Sequence, residues 1–125
     1  MTMIELNPKY EAIFDATNID DDCNKIAGMI NDEGTFVKEE LEAGAIEHAV
    51  TMYLQLLKSM TKHFIVDEHW CYFDDMYSPE YALQAIYNYI MNHNISDDIH
   101  KLLDIGHSEI MDSECYQEYG YPSYI

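Results

Sequence analysis

Apolar residues recur every three or four positions along most of this 125-residue chain, the spacing of one face of an α-helix. Asn7 followed by Pro8 reads as a helix cap and first-turn pair. It opens a short helix to about Ala16, with Tyr10, Ile13 and Phe14 on its apolar side. A second helix is predicted from the acidic triplet Asp20, Asp21 and Asp22, where carboxylates suit the positive end of a helix dipole, to about Asp32, with Gly34 ending it. Thr35 is placed to cap a long third helix from Phe36 to about His63. On a helical wheel its Val37, Leu41, Ala45, Met52, Tyr53, Leu56, Leu57 and Met60 cover more than half the circumference, so this helix is expected to be central. Its exposed strip carries Glu40 and Glu47 early and Lys58 and Lys62 late, the order the dipole favours, and that order accounts for these charges without a functional role.

Ser78 and Pro79 open a fourth helix with Leu83, Ile86, Tyr87 and Ile90 on one face and Asn94 to end it. Ser96 caps a fifth, in which Ile95, Ile99, Leu102, Leu103, Gly106 and Ile110 form a core stripe. Between the third and fourth helices, residues 64–77 are aromatic and β-permissive, but no turn dipeptide marks a hairpin. They read as an irregular connection or a short helix. The expected fold class is mainly α: one domain spanning residues 1–125, a compact bundle of about five helices around the long central one. A Tyr-rich tail, residues 116–125, is expected to lie extended against the body or against a second subunit. Its Tyr116, Tyr119, Tyr121 and Tyr124 are more aromatic surface than an extended segment leaves in water, and tyrosine favours interfaces. A homodimer through this tail is therefore expected.

Charge changes the picture more than periodicity does. The net charge is −18, from 24 acidic residues against six basic ones, and all six are lysine. Solubility of a small domain needs a net charge of only about 2–8. The abundance of Ile, Tyr and Asn points to an AT-rich coding bias, which ordinarily supplies Lys as well, so the shortage of basic residues looks selected. After Lys62 there is a single basic residue, Lys101, against twelve acidic ones. Nucleic acid is excluded as a direct ligand, because binding it depends on Lys and Arg neutralising phosphates. The N-terminal stretch shows no basic region followed by a long apolar run, and no apolar segment is long enough to span a bilayer. A cytoplasmic protein without membrane contact is expected. Three widely spaced cysteines, Cys23, Cys71 and Cys115, suggest neither a disulfide framework nor a zinc site.

Candidate chemistry is thin. Asp97, His100, Asp104 and His107 fall within about 80° on one helix face, and His with carboxylate suits Zn, Fe or Mn. That face lies about 130° from the apolar stripe, so it is expected to meet solvent, and no metal or other cofactor is assigned. An EF-hand beginning at Asp20 fails because Lys25 and Asn31 stand where Gly and Glu are needed. No nucleophile elbow or phosphate-binding glycine loop is present, and no enzymatic activity is expected.

The stretch DEHWCYFDDMY, residues 67–77, packs four carboxylates among aromatics without one basic residue. Asp67, Glu68, Asp74 and Asp75 read as presented negative charge, with Trp70, Tyr72 and Phe73 as core or anchoring aromatics. Asp20, Asp21 and Asp22 are a second candidate contact. Eighteen charges match about 30 Å of duplex DNA, and a domain of this length is about 35 Å across. In size, acidity and helical content the chain resembles phage antirestriction DNA mimics and some anti-CRISPR inhibitors. It also resembles acidic helical immunity proteins. The resemblance implies an inhibitor, carried by a phage or mobile element, that blocks the nucleic-acid-binding surface of a basic host protein. An immunity protein or antitoxin against a basic nuclease toxin, or an acidic structural or regulatory subunit, are the alternatives it leaves open.

Overall fold

The computed structural model describes residues 4–14, 23–61 and 79–111. They form α1 (Pro8–Phe14), α2 (Cys23–Glu42), α3 (Ile46–Thr61), α4 (Pro79–Asn92) and α5 (Asp97–Met111), with no strand among them. Among the described residues the mainly helical class and the count of five helices are as the apolar spacing predicts. Three of the predicted starts are also found. Asn7 Oδ1 accepts the Lys9 N–H at 3.0 Å, Pro79 opens α4, and Ser96 Oγ accepts the Ile99 N–H at 3.4 Å.

The boundary between the second and third helices lies elsewhere than predicted. α2 runs straight through Gly34 and stops at Glu42. Thr35 caps nothing: its hydroxyl donates back to the Asn31 carbonyl at 3.3 Å, a bond made inside a continuing helix. The long helix over 36–63 is instead the end of α2 and the whole of α3. Gly44, at φ 87°, is the break. Its N–H donates to the Leu41 carbonyl at 3.1 Å, and the Ala45 N–H reaches the Glu40 carbonyl at 2.9 Å. Together these two bonds form a Schellman stop. Gly34 stays helical because its missing Cβ is used for packing: a Cβ there would lie 2.9 Å from Ile86 Cγ1.

Most of the predicted core positions are buried even where the helix boundary differs, with Ala45 only partly so. Val37, Leu41, Tyr53, Leu56, Leu57 and Met60 are all buried, each large aliphatic or aromatic side chain contributing about 1.5–3 kcal/mol. α3 packs against all four other helices. Centrality thus belongs to a 16-residue helix, and greatest length to α2.

Helix directions follow from three levels of contact. Glu47 and Asp98 line one groove, Leu54 meets Gly106, and Ile4 is held by both Lys58 and Glu109. α3 and α5 therefore run parallel. Gly34 opposite Ile86 and Lys38 opposite Tyr89 make α2 and α4 parallel as well. The bundle is up, down, up, down, and the end where α2 and α4 finish is the end where α3 and α5 begin. α1 lies across α2 and α3, with Lys9 3.2 Å from the buried Glu33 carboxylate and Asn7 donating to Gln55 at 3.3 Å.

Candidate partner-binding surface

Asp67, Glu68, Trp70, Tyr72, Asp74 and Asp75, the triplet Asp20, Asp21 and Asp22, and the tail 116–125 all lie outside the described residues. By sequence, the undescribed segments carry eleven carboxylates and one lysine, a balance of −10, and the described ones thirteen against five, a balance of −8. The helical body itself is therefore acidic, and the distribution of its charge can be read.

That charge gathers at one end of the bundle. Glu39, Glu40 and Glu42 stand in or next to the last turn of α2, which holds no basic residue. Glu47 stands in the first turn of α3, and Asp97 and Asp98 in the first turn of α5. Glu47, Asp97 and Asp98 suit the positive ends of their helices. Glu39, Glu40 and Glu42 do not: a carboxylate near the negative end costs about 0.3–1 kcal/mol at low ionic strength. This overturns the expectation that Glu40 sits where a helix dipole favours it. The error traces to the misplaced boundary, and the signal that could have corrected it was Ala43-Gly44-Ala45, a helix stop. Glu40 does find His48 Nδ1 at 3.3 Å, an ion pair only when the ring is protonated.

A groove of about 310 Å³ opens at this end, lined by Glu47, Asp98, Ile99, Lys101, Leu102 and Ile105. A second, of about 350 Å³, lies between α2 and α4, lined by Asn31, Gly34, Thr35, Lys38, Ile86 and Tyr89 among others. There the Lys38 ammonium lies 5.3 Å from the Tyr89 ring centroid, a cation–π contact on an exposed surface.

The candidate metal set does not assemble. Asp97, His100 and Asp104 are exposed on α5, whereas His107 is buried. His107 was expected on the same solvent-facing strip. It lies only about 40° from Leu103 around the helix, close enough to the core stripe for Tyr53 to reach it. Tyr53 Oη is 2.8 Å from His107 Nε2, the two rings meet edge to face at 5.6 Å, and Tyr87 packs on both. Burial lowers the His107 pKa below its ordinary 6.5, with the Asp104 charge opposing. Lys58, assigned to the exposed strip, is half-buried and donates to the Ile4 carbonyl. Among the described residues no group of three or more His, Cys, Asp or Glu could hold a metal ion, and no helix is long and apolar enough to cross a membrane.

The chain matches no protein-family model, no curated protein sequence and no solved structure. Function must be argued from the surface itself.

Proposed function

We propose that this protein is an acidic inhibitor, of the phage or mobile-element anti-defence kind, that covers the nucleic-acid-binding surface of a basic host protein and performs no chemistry of its own. One observation carries the reading. Six carboxylates share one end of the bundle, and three of them are kept at the negative end of α2, where they oppose the stability of the helix. Charge held against local stability has a use outside the fold. An opposing basic surface supplies one, because complementary fields accelerate encounter and suppress wrong partners. The −18 balance extends the same field over the whole chain and repels nucleic acid itself.

The test is capture of the partner from host lysate on the immobilised chain, followed by competition. Nucleic acid should displace the captured protein, and association should slow markedly as salt rises from about 50 to 500 mM, since screening shortens the field to a few ångströms. A partner that binds equally fast at both salts, or that binds nucleic acid and this chain together, contradicts the reading. A captured nuclease toxin would redirect it to immunity.

Assembly belongs to the same proposal. A homodimer through residues 116–125 would lengthen the acidic surface, with tyrosine contacts offsetting repulsion between two negative bodies. Added salt should stabilise it while weakening partner binding. Sedimentation of the intact chain as a monomer at both low and high salt, indistinguishable from a truncation ending at Ser113, rules the dimer out.

A further inference from the structure

The groove at the acidic end has a floor and a rim of different chemistry. Ile99, Leu102 and Ile105 form the floor. Ile99 and Leu102 are the partly buried edge of the core. Ile105 is half exposed, at 50%. It lies about 60° beyond Leu102 around the helix, too far from the core stripe to be covered by it. Isoleucine is also a weaker helix former than the Lys, Glu or Ala that would serve at an exposed site. Neither packing nor helix propensity accounts for it. The rim carries Glu47 from α3 and Asp98 from α5, with Lys101 as its one cation among the described residues. Asp97, one turn before Lys101, is placed to neutralise it.

A purely apolar ligand would leave the carboxylates unused, and a small cation would leave the aliphatic floor in water. A peptide segment with an aliphatic side chain flanked by Arg or Lys uses both. Charge complementarity selects it over a second copy of this chain, whose own net charge is −18.

We propose that this groove docks a cationic segment of the partner protein, its aliphatic side chain seated on Ile99, Leu102 and Ile105 and its flanking Arg or Lys at Glu47 and Asp98. The inference deepens the inhibitor reading and rests on it.

Two labelled arginine-rich peptides that differ only in a central Leu or Ser test it, titrated by fluorescence anisotropy against the intact chain at about 50 mM salt. The Leu peptide should bind about fivefold tighter, the value of one partly covered aliphatic side chain. Ile105→Ser should make the two peptides equal. Glu47→Gln combined with Asp98→Asn should weaken both and keep their ratio. Amide shifts of the unmodified chain with the Leu peptide should cluster at Glu47, Asp98 and Ile105, a readout independent of any variant. Equal affinities for the two peptides, or shifts clustered elsewhere, overturn the groove while leaving the acidic surface standing. If neither peptide binds at all, the groove and the cation-binding premise fall together.

Discussion

The two parallel helix pairs use the same packing device and present surfaces of different charge. In α2 and α4 the contact point is Gly34 against Ile86, and in α3 and α5 it is Gly106 against Leu54. Each glycine lets an aliphatic side chain of the neighbouring helix settle against its backbone, and each pair borders a groove of similar size. Yet one groove carries Lys38 over Tyr89, while the other carries Glu47 and Asp98 beside an exposed isoleucine. Packing and surface charge are thus set by different residues on the same helices. Charge can be selected for a partner without disturbing the core, because surface substitutions away from caps and buried networks cost little stability.

The sharpest way to break the comparison is at the glycines. A Cβ at Gly106 would lie 2.5 Å from Leu54 Cδ1 and 2.8 Å from Cδ2, inside a contact that cannot open without moving a fully buried side chain. The overpacking, about 1–3 kcal/mol, exceeds the helix-propensity gain of about 0.5–1 kcal/mol, so Gly106→Ala should destabilise by about 1–2 kcal/mol in urea unfolding. At Gly34 the Cβ meets Ile86 Cγ1 at 2.9 Å, a milder clash set against a helix-propensity gain of about 0.5–1 kcal/mol. Gly34→Ala should therefore fall within about 1 kcal/mol of the parent. Equal losses at the two sites would show that the contacts are equivalent after all.

A second difference between the pairs is buried polarity. α3 and α5 share the Tyr53–His107 hydrogen bond, and losing it by His107→Phe should cost about 1–2 kcal/mol at pH 7.5. Because burial lowers the His107 pKa below 6.5, the unfolded chain takes up this proton first. Its contribution is complete above pH 6.5 and declines as pH falls below that value, until the folded ring titrates too. Groups facing the ring are Tyr53 from α3, Tyr87 from α4 and Asp104 on α5. The difference in stability between parent and His107→Phe should therefore shrink between pH 7 and 5, and a constant difference would remove His107 from the account. Tyr10 behaves oppositely at high pH. Its pKa is raised to about 12 by burial and then by the Glu33 charge, so its contribution holds below pH 10 and is lost as pH rises from 10 towards 12.

The smallest expected effects concern the surface. Replacing Glu39, Glu40 and Glu42 with Gln should stabilise the fold by about 0.3–1 kcal/mol per site at low salt while slowing association with a basic partner. Improved stability with unchanged association would mean that these charges serve nothing outside the bundle. Lys38→Gln should cost about 0.5–1 kcal/mol through the Tyr89 contact and leave partner association unchanged.

The spacing of apolar residues was enough to determine the helical class, the number of helices among the described residues and most of their core positions, because burying a stripe every 3.6 residues is a local rule. Val37, Leu41, Leu56 and Met60 could be assigned to the core from spacing alone. The helix stop could not be chosen so simply. Gly34 and Gly44 are both plausible terminators by sequence, and what decides between them is Ile86, more than forty residues away, which needs the backbone of Gly34 at close range. His107 shows the same limit: its wheel position is marginal, and only Tyr53 on another helix draws it inside. The negative balance and the lack of arginine are properties of composition and were fully legible. That six of the carboxylates meet at one end, three of them against a helix dipole, depends on where α2 stops and on α3 and α5 running parallel. Both are decided by long-range packing, which the order of residues along the chain encodes only through contacts that form when it folds.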